Sequence, residues 1–185
     1  SSDIAPWCSE YNLVDLPNWK VCKRKLAAIG EYARHSGQRL SFHPGAYTVL
    51  AGTNKATIKK SLHELEVHGQ IMDGLGMPRS RNAKINIHIG GAYGDKTAAI
   101  SRFIKNYRRL SPAVTSRLTL ENDDRPNLYT VRDLVELVYP HIKTPIVRRQ
   151  RCIWQQRRGV ALSRLHIILR QLKKIIHALY TALIV

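Results

Sequence analysis

The chain has 185 residues, of which 44% are hydrophobic, and a formal net charge of +17. This length supports one domain with a hydrophobic core. The sequence shows no signal peptide and no uncharged run near the ~20 apolar residues of a membrane span, so we expect a cytoplasmic protein that requires no membrane. The three cysteines Cys8, Cys22 and Cys152 lack the spacing of a metal or disulfide motif, and we expect structural thiols.

Positive charge is concentrated towards the C-terminus. Residues 1–140 contain 20 basic and 13 acidic residues, whereas residues 141–185 contain 10 basic residues and no acidic residue. A surplus of positive charge attracts phosphate polyanions or anionic membrane surfaces. The first part gives a moderate signal for such partners, and the tail gives a separate one.

Two hydrophobic periods alternate along residues 1–147. Helical spacing covers four segments: residues 18–36, 54–75, 95–110 and 130–139. A period of two covers the stretches between them: residues 39–43, 84–89, 117–121 and a short strand at 145–147. Asn54 and Asp95 stand where they can cap the second and third helices. Alternation of strands and helices at this spacing predicts parallel βα units, and therefore an α/β fold.

Three of the predicted strands carry a metal-type ligand near their C-terminal ends, namely His43, His88 and Glu121. In each strand one parity is apolar, while the other holds these ligands together with polar residues such as Asn86 and Thr119. An open doubly wound sheet, the competing architecture, would be apolar on both faces. The pattern therefore favours a partial TIM (β/α) barrel of roughly five of eight units, with the ligands at its mouth.

The types of these three ligands indicate a chemistry. Two neutral imidazoles and a carboxylate suit Mn, Fe or Zn better than Ca or Mg alone. Asp123 and Asp124 can add ligands, or they can cap or solvate a turn. In the absence of a Ser-His-Asp or Cys-His pattern, metal-assisted hydrolysis is the reaction class that we expect. Tyr47, close after His43, can stack on a nucleobase or cover the core at the rim.

Four stretches of the sequence carry a resemblance to a known family: residues 1–7 (SSDIAPW), 39–45 (RLSFHPG), 88–96 (HIGGAYGDK) and 120–124 (LENDD). In this order they resemble the UV damage endonuclease family, and the similarity extends from residue 1 to about 147. The resemblance implies a TIM barrel, similar to endonuclease IV, that holds a cluster of metal ions, usually Mn²⁺. It also implies an enzyme that nicks damaged double-stranded DNA immediately 5′ of UV photoproducts and other lesions, which starts an alternative excision repair.

The resemblance also implies roles for individual residues. His43, His88 and Glu121 match metal ligands, with Glu121 and His88 central to catalysis. Tyr47 matches the aromatic half of a Gln-Tyr pair that probes the lesion, although Ala46 stands where the family has Gln. Lys96, at the end of the third motif, is expected to contact DNA.

The resemblance stops after Val147, where the family continues into further ligands and this chain continues into Arg148 and Arg149. We divide the chain into residues 1–147, a partial barrel, and residues 148–185, a basic tail predicted to form an amphipathic helix. A truncated or frame-shifted member with weak or no nicking activity is our hypothesis. The alternatives are a non-catalytic module that binds nucleic acid or a membrane surface through its tail, and a sugar isomerase, since those barrels also surround metal ions with His and Glu.

Overall fold

The computed structural model of the chain describes residue 5, residues 8–125 and residues 127–148. The predicted C-terminal helix therefore lies outside the described residues, apart from Arg148. Among the residues described, no helix combines the length and apolar character that crossing a membrane requires. Cys8 and Cys22 are free and buried, and burial raises the pKa of the Cys8 thiol to about 12, as expected of a structural thiol.

A small parallel sheet organises the described residues. Its strands are β1 (Ile85–Ile87), β2 (Leu118–Glu121) and β3 (Ile146–Val147), in the spatial order β1-β2-β3. Ile85 pairs with Leu118, and Leu120 pairs with Ile146. Because the strands are parallel and are joined through helices, the prediction of an α/β fold is confirmed.

The strand predicted at residues 39–43 is much shorter in the structure than expected. It is reduced to one parallel bridge between Phe42 and Ile85, at the edge of β1 opposite β2. The Phe42 N–H donates to the Lys84 carbonyl at 2.8 Å, and the Asn86 N–H donates to the Phe42 carbonyl at 2.8 Å. The next rung of a parallel ladder would need an N–H at residue 44, and Pro44 has none. The pairing therefore ends after a single bridge.

The helices agree closely with the sequence pattern up to residue 107. The main helices are α1 (Trp19–His35), α2 (Lys55–Gly74) and α3 (Lys96–Tyr107), and a short α4 (Pro112–Thr115), which was not predicted, follows. The Asn54 side chain accepts from the N–H groups of Ala56 and Thr57, and the Asp95 side chain accepts from the N–H of Ala98. Both predicted N-caps are therefore confirmed.

The last predicted helix, at residues 130–139, is longer and less regular in the structure. It consists of α5 (Val131–Asp133), a π-helical turn (Leu134–Val138) and α6 (Tyr139–Ile142). Pro140 has no N–H and cannot continue the α-helical ladder, so the register changes just before it. Three short pieces replace the single helix that the periodicity predicted.

The apolar parity of the strands forms the centre of the core, as the sequence predicted. Ile85, Ile89, Leu118 and Leu120 are fully buried, and Ile87 is 3% exposed. Inward residues of α2 and α3 pack in the same core: Leu62, Leu65, Met72, Ala99, Ile100 and Phe103. On the opposite parity, Asn86, Thr119 and Glu121 are buried as well. Their polar atoms must therefore find partners inside the protein.

Helix α1 approaches the end of α2 so closely that only glycine fits at the contact. A Cβ placed on Gly30 would lie 1.6 Å from the Leu75 carbonyl oxygen. Arg34, one turn further along α1, donates to the carbonyls of Leu75 and Gly76 at 2.9 and 3.0 Å. Gly76 adopts the left-handed conformation that commonly ends a helix. Helix α1 thus packs against the C-terminal end of α2, and Arg34 binds the carbonyls there.

A buried arginine joins several elements at the amino end of β2. The Arg117 side chain is 0% exposed, and its Nη2 donates to the Met77 carbonyl at 2.6 Å. Further bonds reach the carbonyls of Pro78 and Ala113 and the Asp73 carboxylate, the last at 2.8 Å. Arg79 binds the same carboxylate from the surface, and its hydrogen bond, reinforced by Arg117, holds the pKa of Asp73 below its usual value.

We predict that Arg117→Met destabilises the protein by about 3–5 kcal/mol, because it removes a fully buried cation and leaves the several carbonyls that it binds, together with the partly exposed Asp73 carboxylate, without this partner. The free energy of unfolding in urea would measure this loss. Arg79→Met is the matched control, since Arg79 binds the same Asp73 carboxylate through a side chain that is 55% exposed and should change stability little. Equal effects of the two substitutions would contradict the structural role of Arg117.

Candidate metal centre

Three chain segments bring His43, His88 and Glu121 to one edge of the sheet. His43 directly follows the bridge at Phe42, His88 directly follows β1, and Glu121 is the last residue of β2. Neighbouring parallel strands end at the same edge, so residues at their carboxyl ends are close in space although 78 positions separate His43 from Glu121. The polar residues at the carboxyl ends of the three segments therefore form one site.

The ligand atoms of these three side chains lie within 4.8 Å of one another. His43 Nε2 is 3.2 Å from Glu121 Oε2, and the ring centroids of His43 and His88 are 5.5 Å apart. Glu121 is buried, His88 is half-buried and His43 is exposed. Among the described residues this is the group of His, Cys and acidic side chains that could hold a metal ion.

The proton positions on His43 provide a test of whether a cation fits. His43 Nδ1 lies 3.1 Å from the Pro44 carbonyl oxygen, which can only accept, so Nδ1 carries a proton. In the neutral imidazole Nε2 then directs a lone pair at the Glu121 carboxylate, 3.2 Å away. Two ligand atoms that share one ion at about 2.1 Å lie roughly 3.0–3.4 Å apart at octahedral or tetrahedral angles. The observed spacing fits a shared divalent cation.

His88 is oriented in the same way by its surroundings. Its Nδ1 donates to the Glu121 backbone carbonyl at 3.2 Å, and Asp123 Oδ1 lies 3.5 Å from the same nitrogen. This leaves Nε2 available to a metal ion, an arrangement typical of histidines that bind metals. Burial raises the pKa of Asp123, and its Oδ2 has no hydrogen-bond partner among the described residues. Asp123 therefore lies at the edge of the site, next to the His88 ring.

A hydrogen-bonded chain of buried residues holds the Glu121 carboxylate. Thr119 Oγ1 donates to Asn86 Oδ1 at 2.9 Å, and Asn86 Nδ2 donates to Glu121 Oε2. Thr119 is 2% exposed, Asn86 9% and Glu121 8%. Glu121 Oε2 is also the oxygen that lies 3.2 Å from His43 Nε2. The hydrogen bonds from Thr119 through Asn86 therefore fix the position of the carboxylate oxygen that faces His43. The sequence pattern did not predict a role for Asn86 or Thr119. It did place both residues on the strand face that carries His88 and Glu121, which was the one indication of such a role.

The site opens into a cleft of about 690 Å³. Its walls are the two loops that follow Phe42 and β1 and the loop after β2, and they include Ala46, Gly91, Asp124 and Arg125. Tyr47 stands beside this cleft with 91% of its surface exposed, so it does not cover the core. Ala46 presents only a methyl group to the same space.

Lys96 lies at the start of α3 and is already engaged with neighbouring groups. Its ammonium is 3.3 Å from Asp133 Oδ2 and 5.7 Å from the centre of the Tyr129 ring. Tyr129 is fully buried, and burial raises its pKa to about 12. The Lys96 side chain keeps 36% of its surface exposed. Lys96 is not among the residues that line the cleft. The structure therefore brings His43, His88 and Glu121 together but does not place Lys96 with them.

A parallel α/β sheet with two imidazoles and a carboxylate at its carboxyl edge is an arrangement found in metal-dependent hydrolases. A model of the family UV-endonuclease UvdE matches residues 1–149, and the chain belongs to this family. The family prediction from the sequence is therefore confirmed.

Individual relatives agree with this assignment. The UV-damage endonuclease of Neurospora crassa is 40% identical over 124 residues, which are 66% of this chain and 18% of that protein. The UV DNA damage endonuclease of Clostridium perfringens is 37% identical over 124 residues, 67% of this chain and 29% of that protein. The crystal structure of SacUVDE matches with a TM-score of 0.68 and 27% identity, covering 89% of this chain and 54% of that one. The chain therefore spans less than a third of these two curated relatives.

We predict that Asn86→Leu weakens Mn²⁺ binding about 10–100-fold, because the Glu121 carboxylate loses the N–H that orients it. Thr119→Val, which removes only the hydroxyl that holds Asn86, should weaken binding less. Calorimetric titration with Mn²⁺ measures both effects. Thr119→Ser is the matched control, since it keeps the hydroxyl and should bind as the unmodified chain does. Wild-type affinity in Asn86→Leu would show that the chain of hydrogen bonds does not position Glu121.

Proposed function

We propose that this chain is part of a metal-dependent endonuclease that nicks damaged double-stranded DNA on the 5′ side of UV photoproducts and other lesions, in an alternative excision repair. The observation that carries this proposal is the group of His43, His88 and Glu121 at the carboxyl edge of the sheet. Membership of the UvdE family and relatives named UV-damage endonucleases support it.

The surrounding fold is proposed to be a segment of a TIM barrel. Four parallel segments follow one another in space in the order of the sequence: the bridge at Phe42, then β1, β2 and β3. Barrels keep this order around their wall, whereas doubly wound sheets reverse it at a switch point. The match to SacUVDE at a TM-score of 0.68 supports the same architecture.

We propose Mn²⁺ as the resident metal, because two imidazoles with one carboxylate form a mixed N/O ligand set that suits it. A bound divalent cation lowers the pKa of a coordinated water and stabilises the oxygen that leaves a phosphodiester. The residues of this chain supply the frame for that chemistry. His43 and His88 direct ring nitrogens to the site, Glu121 supplies the negative charge, and Asn86 holds the carboxylate in place.

The cleft beside the ligands is the proposed place of the DNA strand. Tyr47, with 91% of its surface exposed, has a ring face available to a nucleobase. Ala46 cannot donate or accept a hydrogen bond through its side chain, so the grip on a lesion rests on Tyr47 rather than on a Gln-Tyr pair. Lys96 is proposed as a phosphate contact through the part of its side chain that remains exposed beside Asp133.

The match to the family ends at residue 149, which supports a boundary close to Val147. With a single carboxylate among its three ligand candidates, the site carries too little negative charge for a cluster of several ions. We therefore propose that this polypeptide nicks DNA weakly or not at all by itself. The nucleotide sequence around the Val147 codon tests the origin of the tail: a second frame that continues into Asp and His codons would identify a frame shift.

We predict that any Mn²⁺-dependent nick in UV-irradiated duplex DNA falls by at least about 100-fold in Glu121→Gln, which keeps the shape of the side chain but removes its charge. An end-labelled duplex that contains one photoproduct reports both the rate and the position of the cut. His35→Ala is the control, because His35 is an exposed residue whose Nδ1 contacts the Glu31 carbonyl in its own helix. Nicking that persists in Glu121→Gln would contradict the proposed site.

The second candidate function is a non-catalytic module that binds nucleic acid or an anionic membrane surface. Residues 141–185 favour it, because they contain 10 basic residues and no acidic residue.

We predict that replacing Arg157, Arg158, Lys173 and Lys174 by Gln flattens the salt dependence of DNA binding, because fewer counterions are released. Fluorescence anisotropy at salt concentrations from about 50 to about 200 mM measures this slope, because affinity for DNA falls steeply over that range. Replacement of Lys20, Lys23 and Arg24 on α1 is the control of similar charge; an unchanged slope in the tail variant would exclude this candidate.

A further inference from the structure

Tyr93 lies in the loop between β1 and α3 and has an unusual backbone conformation. Its φ is 52°, and Gly94 follows with φ 81°. The Asp95 N–H donates to the Ala92 carbonyl at 3.0 Å, so residues 92–95 form a turn with positive φ at both central positions. Asn-Gly is the pair that such turns prefer, because a residue with a bulky side chain is strained there. A tyrosine at this position therefore needs another reason.

Burial does not supply that reason, because Tyr93 is 51% exposed. The ring is nevertheless held in a fixed place. The Arg102 guanidinium carbon lies over the ring at 5.5 Å from its centre, and Arg102 Nε–H donates to the Ala51 carbonyl at 2.8 Å. A Cβ on Gly91 would meet the ring at 3.2 Å. The Arg102 guanidinium thus lies over one ring face, Gly91 packs against the ring, and about half of the residue's surface stays exposed.

This ring belongs to a loop that borders the cleft beside His43 and His88. Gly90 and Gly91, which precede it, line the cleft together with His88. The loop touches the segment that carries Tyr47, since a Cβ on Gly90 would lie 3.2 Å from Val49 and one on Gly52 would lie 3.7 Å from the Tyr93 hydroxyl. Tyr93 and Tyr47 therefore belong to two loops that meet at the same rim.

We propose that Tyr93, backed by Arg102, is a second stacking platform for a nucleobase of the DNA strand that enters the cleft. The inference rests on the proposed function and adds a contact to it. An exposed aromatic face accepts any base, because every base has a π-face. The guanidinium on the opposite face holds the ring and adds positive charge beside the path of the phosphates. A position strained by its backbone and open to solvent is the kind of position retained for binding.

The test separates the ring from the turn. Tyr93→Asn removes the aromatic ring but creates Asn-Gly, so the turn and the thermal transition should be retained. The probe is a duplex with one unpaired 2-aminopurine, with EDTA present so that no metal-dependent cut occurs. We expect quenching of 2-aminopurine by the unmodified chain, and about tenfold weaker binding with little quenching in Tyr93→Asn. Tyr93→Phe should behave as the unmodified chain, because stacking needs the ring and not the hydroxyl.

Tyr139→Asn is the matched control. Tyr139 is 43% exposed and also has a cation over its ring, Lys143 at 5.2 Å, but it lies on α6 rather than on one of the loops whose residues line the cleft. Its replacement should leave affinity and quenching unchanged. Equal binding and quenching in Tyr93→Asn and the unmodified chain would overturn this inference alone. A loss in Tyr93→Phe as large as in Tyr93→Asn would also overturn it, and an unmodified chain that binds no DNA would overturn the proposed function with it.

Discussion

The Arg117 guanidinium is the interaction on which the arrangement of the other elements depends. It is fully buried at the amino end of β2 and binds the Asp73 carboxylate together with backbone carbonyls from Met77, Pro78 and Ala113. Those carbonyls belong to the segment that leads out of α2 and to α4. A single planar group with five donors therefore fixes where α2 ends relative to the start of β2. The position of β2 in turn determines where its last residue, Glu121, is placed.

The two ends of β2 consequently have different tasks. The amino end, at Arg117, is tied to the scaffold by charge and hydrogen bonds, and the carboxyl end, at Glu121, faces His43 and the cleft. In parallel α/β sheets ligands commonly bind at the carboxyl ends of the strands, which is the end of β2 where the candidate metal site lies. Four residue steps separate Arg117 from Glu121, a distance of about 13 Å along the strand.

Much of this arrangement could be read from the sequence, and the remainder has physical reasons for escaping it. The parity of the strands predicted that His43, His88 and Glu121 share a face, because alternation is a local property of an extended chain. It could not predict that Asn86 bonds Glu121, since a hydrogen bond across strands depends on register. The burial of Arg117 and its ion pair were missed for a similar reason: arginine is usually exposed, and its partner Asp73 is 44 residues away. The π-helical turn before Pro140 shows how one residue without an N–H changes a helix that periodicity describes as regular.

Pro44 has a consequence that goes beyond shortening a strand. By ending the pairing after Phe42 it releases the next turn of chain from the sheet, and its own carbonyl then receives the Nδ1 proton of His43. One residue thus sets the length of the edge and supplies the acceptor that His43 Nδ1 faces at 3.1 Å. A longer edge would gain a rung of backbone hydrogen bonds and would engage the same Pro44 carbonyl. The Pro44 carbonyl can serve either the sheet or the imidazole of the candidate metal site, and because Pro44 has no N–H the pairing ends and the carbonyl stays with the imidazole.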